Sequence, residues 1–229
     1  MAGVTSAKND TIQVSEYLQI VPLSKHCFLH ISYIPYKDKP FQCNGMVYIK
    51  NGEAAVFDTP IGDEASQNLI QWIFEEHQAS IKYLVINHFH EDCISGITSF
   101  VGTGCQSISQ QKMCRLADLK GYNCTQRYFT ESMTIDVGGT QIENRFFGAA
   151  HTEDNIVSYV PDDRVLFGGC MIKALGAGRG NTQDADLSQW SRTVSAVAEA
   201  YPKVKLVIPG HGDPGNKRLY RYTIDLFSE

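Results

Sequence analysis

Alternating apolar and polar positions divide the chain into many short strands, and apolar positions at helical spacing mark the helices between them. Residues 17–21 and 27–34 read as strands, with a turn at Pro22 and Ser24-Lys25. Residues 35–45 are rich in proline and turn formers and read as a loop at a hairpin tip. The aromatics there, Tyr36 and Phe41, either stand exposed or fold back onto the core. Residues 45–50 and 53–58 predict a hairpin across Asn51-Gly52, a pair that suits the tight turn twisted strands need. A helix is predicted from an N-cap at Asp63 to His77, with Ala65, Leu69, Trp72 and Ile73 on its apolar face.

The apolar run at 81–86 predicts a buried strand, and a short helix opens near Asp92. Residues 106–119 hold a strand and a helix. Strands at 133–137 and 140–147 flank Gly138-Gly139, and 156–160 and 165–167 form a further hairpin. A helix over 186–201 carries Leu187, Trp190, Val194, Val197 and Tyr201 on one face, a strand follows at 205–208, and a last helix closes the chain. The order strands, helix, loop occurs twice. It predicts an α/β fold in which two facing β-sheets are flanked by helices, an αββα sandwich. No linker interrupts it, so residues 1–229 are expected as one domain, with 1–10 a disordered or added start.

Composition narrows the picture. A hydrophobic fraction of 43% supports a sizeable core, and a net charge of −5 argues against nucleic acid. No apolar run is long enough to span a membrane. No secretory leader is visible in the small, polar first residues, so the chain is either cytosolic or has lost its signal. The seven cysteines show no Cys-x-x-Cys pair and no disulfide framework; most are expected as small buried hydrophobes, Cys93 and Cys170 excepted.

The chemistry collects at strand ends. Asn87-His88-Phe89-His90-Glu91-Asp92-Cys93 follows the buried 81–86 strand, and in an extended segment His88 and His90 project to one side. Three further loops supply His151, Cys170 and His211, each beside small residues that let backbone and metal approach. Six potential ligands exceed the four of a closed structural zinc site and suffice for two zinc ions with open positions. Paired zinc ions imply hydrolysis. Four of the seven histidines lie in these loops; His26, His30 and His77 read as structural.

His-x-His-x-Asp at a strand end, followed by isolated His, Cys and His loops, resembles the metallo-β-lactamase fold over nearly the whole chain. Cys170 with Lys173 three residues on, and Cys93 rather than His after Asp92, resemble the class B β-lactamases of subclass 1. The resemblance implies one zinc on His88, His90 and His151 and a second on Asp92, Cys170 and His211. It implies a zinc-bound hydroxide that opens the lactam amide of penicillins, cephalosporins and carbapenems, and hence antibiotic resistance. Asp92, Lys173 and Asn181 are then catalytic, and Lys173, Asn181, Tyr36 and Phe41 contact substrate. Residues 33–44 resemble the family's hairpin that closes over substrate, and Asp58 resembles its buried Asp beneath the metal loops, unless Asp58 only shapes the turn before the helix. Two departures stand out: Ser95-Gly96 replaces the usual Gly-Gly, and the glycine-rich loop from Lys173 to Asn181 looks one residue short. The function implies a periplasmic monomer, where the remaining cysteines stay free or pair. The alternatives are a glyoxalase-II-like thioesterase, a nuclease of the RNase Z type and a non-catalytic zinc protein.

Overall fold

The structure, a computed structural model, describes residues 11–36 and 39–228 except the side chains of residues 36 and 39. Residues 1–10, expected as a disordered or added start, and the Tyr36 side chain lie outside the described residues. The first sheet comprises β1 (Ile12–Ser15), β2 (Leu18–Pro22), β3 (Cys27–Tyr36), β4 (Lys39–Lys50), β5 (Glu53–Phe57), β6 (Ser80–Val85), β7 (Gln106–Gln110) and β8 (Arg127–Phe129), side by side in chain order. It is antiparallel as far as β5 and parallel from β5 to β8. The second sheet holds β9 (Ser132–Val137), β10 (Thr140–Arg145), β11 (Val157–Val160), β12 (Val165–Gly169) and β13 (Leu206–Pro209), with β12 and β13 parallel. The helices are α1 (Gly62–His77), α2 (Glu91–Ile94), α3 (Ile97–Phe100), α4 (Met113–Asp118), α5 (Leu187–Ala200) and α6 (Arg218–Phe227).

Three apolar layers account for this order. Along β4, Met46 and Tyr48 pack toward Ile135, Ile142 and Phe167 of the second sheet. Val47 and Ile49, one residue out of step, pack with Leu69, Trp72 and Ile73 of α1. A strand buried on both faces reads as a continuous apolar run because both alternating sets of side chains are covered. On the outer face of the second sheet, Leu166 and Val207 pack with Trp190 and Val194 of α5 and Leu219 of α6. The αββα sandwich expected from the sequence is the architecture observed.

Several local expectations are corrected. The expected hairpin tip is more strand than loop: residues 35–36 belong to β3 and 39–45 to β4, and Pro35 faces Pro40, so the two missing N–H groups fall at one rung of the ladder. Asp63 does not cap α1. The helix starts two residues earlier, Ile61 takes the N-cap position without a side-chain cap, and the Asp63 carboxylate accepts from Ser99 Oγ at 2.8 Å. Leu187 is 44% exposed and leaves the apolar face of α5. Strands β1 and β8 have no counterpart in the sequence reading. Of the cysteines for which burial or pairing was left open, Cys114 and Cys124 join in a disulfide that ties α4 to the segment before β8. The Asn51-Gly52 turn is as expected, with φ of 52° and 76°.

Candidate metal centre

The parallel strands aim their C-terminal ends at one cleft. The β6 end supplies His88, His90 and Asp92; the β12 end supplies Cys170; the β13 end supplies His211; and His151 lies on the loop between β10 and β11. The cleft has a volume of about 790 Å³ and its walls include His90, Asp92, His151, Lys173, Asn181 and His211. Close approach is built in by glycines. A Cβ on Gly210 would meet Cys170 Sγ at 2.4 Å, and one on Gly169 would meet Asn87 Oδ1 at 2.4 Å.

The first cluster is all imidazole. His88, His90 and His151 each offer a ring nitrogen within 4.8 Å of the others, and His90 Nδ1 lies 3.1 Å from His151 Nε2. His88 Nε2 is buried and has no protein partner. Burial holds the His88 ring neutral, its pKa lowered to about 3, and burial holds His151 well below the ordinary histidine value. Converging lone pairs on adjacent imidazoles repel each other and lack donors. A divalent cation satisfies all of them, and imidazole suits zinc, so the residues fit that metal.

Two of the three rings, His88 and His90, are braced from behind. His88 Nδ1 faces Asn87 Oδ1 at 3.2 Å and Cys93 Sγ at 3.1 Å. His90 Nε2 donates to Asp184 Oδ2 at 2.8 Å. Such partners fix the tautomer and the ring plane of a metal-binding histidine. Below them Asp58, buried and left-handed at φ 60°, accepts the Asn87 N–H at 2.6 Å. Burial pushes the Asp58 carboxyl well above the usual carboxylate range.

The second cluster is anionic in character. Cys170 Sγ lies 3.0 Å from Asp92 Oδ2 and 3.2 Å from His211 Nε2, and Asp92 Oδ2 lies 3.1 Å from His211 Nε2. His211 Nδ1 donates to the Gln42 carbonyl at 2.7 Å, which leaves Nε2 to face the cleft. Burial opposes charge on Asp92, but its hydrogen bond to His211 and the nearby His88 hold it well below the usual range. Burial and the Asp92 charge push the Cys170 thiol up. Against its own burial, His211 is pushed up to about 10 by the Asp92 carboxylate and the Cys43 thiol. A cation bound here replaces these protons. His88 Nε2 and Asp92 Oδ1 are 3.7 Å apart, so the two clusters adjoin.

Lys173, buried, holds its Nζ over the Trp190 ring at 5.1 Å and lines the cleft; burial lowers its pKa. Asn181 is an exposed rim residue whose Oδ1 accepts the Gln183 N–H at 3.0 Å. Phe41 lines the cleft with its ring 4.6 Å from that of His211.

The same architecture recurs in known proteins. No family model matches the chain. A protein named metallo-beta-lactamase type 2 from Bacteroides fragilis is 33% identical over 96% of this chain and 89% of its own length. The chain belongs to the metallo-β-lactamase family. A protein of the same name from Bacillus sp. (strain 170) is 30% identical over 96% of this chain and 84% of its own. A solved metallo-β-lactamase from Pontibacter korlensis superposes with a TM-score of 0.88 at 32% identity, covering 92% of this chain and 98% of that one. The Pseudomonas aeruginosa metallo-β-lactamase FIM-1, solved in its mono-zinc form, superposes at 0.87 with 25% identity, covering 92% and 95%.

In this metallo-β-lactamase, then, the six candidate ligands named from sequence come together in adjoining groups that share His88 and Asp92. Two residues at the centre were missed. Cys43 places its sulfur within 4.8 Å of ligand atoms of Asp92 and His211. Asp184 braces His90. Neither sits in a motif; only the pairing of β4 with the His211 loop, and the approach to α5, bring them in.

Proposed function

We propose that the chain is a zinc-dependent β-lactamase of class B, subclass 1, holding two zinc ions and opening the lactam amide of penicillins, cephalosporins and carbapenems. The observation that carries this reading is Cys170 grouped with Asp92 and His211, directly beside three converging imidazoles. Bound at these groups, zinc supplies Lewis acidity and brings water to a pKa of about 7.

The chain's own residues do the rest. His88, His90 and His151 hold one ion with neutral donors, and Asp92, Cys170 and His211 hold the other with two anionic donors. Lys173 extends its ammonium into the cleft, where it meets the carboxylate of a β-lactam. Asn181 and Phe41 form the rim and the apolar wall against which the bicyclic ring system rests, and Asn181 orients the lactam carbonyl. Tyr36 belongs to the same substrate hairpin. A periplasmic site of action follows from the target, because β-lactams attack cell-wall enzymes there, and the Cys114–Cys124 disulfide suits an oxidising compartment. Among the described residues no helix is long and apolar enough to cross a membrane. The thioesterase alternative is not favoured: the relatives found are named metallo-β-lactamases.

The test is hydrolysis of a chromogenic cephalosporin by zinc-loaded protein, repeated after chelation and after adding zinc back. Turnover that chelation abolishes and zinc restores is the expected result. No hydrolysis by zinc-loaded protein, or undiminished hydrolysis by verified metal-free protein, overturns the reading.

A further inference from the structure

We propose that Cys43 is a second thiolate ligand at the Asp92–Cys170–His211 cluster, which makes this half of the centre a site for thiophilic divalent cations, cadmium as well as zinc. The inference rests on the reading of that cluster as a metal site and adds a ligand to it.

Cys43 Sγ, a carboxylate oxygen of Asp92 and a ring nitrogen of His211 lie within 4.8 Å of one another. Cys170 Sγ reaches the same two residues at 3.0 and 3.2 Å. Cys43 and Cys170 thus both border the Asp92–His211 pair, and together the four residues supply the donor types of a closed zinc site.

The position of Cys43 is fixed by its neighbours in β4. The Gln42 carbonyl accepts from His211 Nδ1 at 2.7 Å. The Asn44 N–H donates to the Gly210 carbonyl at 2.9 Å, and Asn44 Nδ2 donates to the carbonyls of Pro209 and Gly212 at 2.9 and 2.7 Å. The residues on both sides of Cys43 therefore clamp the loop that carries His211, and Cys43 cannot drift from it without breaking these bonds. Across the sheet Cys43 pairs with Ser32, deep in the long β3–β4 ladder. The thiol donates only weakly to the Phe41 carbonyl, at 3.7 Å, and its other side-chain partner is the His211 ring of the same cluster.

The chemistry follows from the donor set. Thiolates favour soft cations, so a two-sulfur site gains more for cadmium than for harder ions. Each thiol gives up its proton on ligation, so one divalent cation displaces two protons from the pair of cysteines. Three anionic donors grip the cation firmly and reduce its Lewis acidity, which separates this ion's role further from that of the ion on three neutral imidazoles.

The experiment is a cadmium titration of the metal-free full chain, followed by thiolate-to-cadmium charge-transfer absorption in the ultraviolet. The chains compared are the parent, Cys43→Ser, Cys170→Ser and the double variant. At saturation each single variant is expected to show about half the parent amplitude and the double variant none. Cys43→Ser is expected to bind cadmium roughly tenfold more weakly. Parent amplitude and parent affinity in Cys43→Ser overturn the proposal. Cadmium NMR on the unaltered chain gives a second reading that needs no variant: a resonance in the two-sulfur range agrees with the proposal, and one in the single-sulfur range contradicts it. Cephalosporin hydrolysis by zinc-loaded samples of the same chains reports on the proposed function separately. Turnover together with a one-sulfur cadmium site discards Cys43 alone. A cadmium site with no sulfur at all discards the cluster as well.

Discussion

The three-imidazole cluster and the cluster of Asp92, Cys170 and His211 share one cleft and one loop, yet they are built on opposite terms. The first offers neutral donors only, with His88 sunk in the protein and His90 backed by Asp184. The second offers a carboxylate and thiols, and it borders the long β3–β4 hairpin rather than the first-loop strand alone. Neutral donors leave a cation most of its charge and so most of its power to polarise water or a carbonyl. Anionic donors neutralise the cation and hold it tightly. One hydrolytic centre can therefore divide two tasks, activating and anchoring, by the choice of side chain alone.

The braces of the first cluster are the place to break this division with the largest effect. Asp58 receives the Asn87 N–H, and Asn87 in turn faces His88. Asp58→Ala should weaken zinc at the three imidazoles by roughly 10- to 100-fold, measured by competition with a chromophoric chelator. Asp58→Asn keeps an acceptor oxygen and tolerates the left-handed backbone, so it should cost less. Unaltered affinity in folded Asp58→Ala would return Asp58 to the role of a turn residue.

His30 sharpens the comparison as a buried histidine outside both clusters. Its Nε2–H donates to the Asp58 carbonyl at 3.1 Å, and burial lowers its pKa to about 4 from an ordinary 6.5. Between those values the unfolded chain binds the proton and the folded chain does not. Stability is therefore full above about pH 6.5 and falls as pH drops toward about 4. From pH 7 to pH 5 the loss assigned to His30 is about 2 kcal/mol. Urea unfolding at the two pH values should show it, and His30→Gln should flatten the dependence. An equally steep fall in His30→Gln would place the titration elsewhere.

The smallest effect concerns Lys173, which stands outside both ligand sets but lines the same cleft. Lys173→Ala should raise KM for a carboxylate-bearing β-lactam by about tenfold with a smaller change in kcat. An unchanged KM removes Lys173 from substrate contact.

The candidate ligands of the first loop were legible because a buried strand and His-x-His-x-Asp are consecutive, so local geometry alone directs them to one side. His151, Cys170 and His211 were legible as isolated donors among small residues, a pattern that backbone crowding near Gly169 and Gly210 explains. Cys43 was not, because only tertiary pairing of β4 with the His211 loop sets its sulfur beside Asp92. Asp184 was hidden for the same reason, ninety-four residues from the His90 it supports. Proline content concealed the β3–β4 tip, where two prolines face each other across one rung. Asp63 looked like a helix cap, but Ser99 from another helix claims its carboxylate.

Zinc content per chain, measured side by side on the parent, His151→Ala and Cys170→Ser, tests most directly that the two clusters are separate metal sites of unlike chemistry. The expected values are about two for the parent and about one for each variant. The ion kept by Cys170→Ser should be the one on three imidazoles, so cadmium confined to that site should show no thiolate absorption. Two zinc ions in both folded variants, or none in either, would contradict the division into two sites.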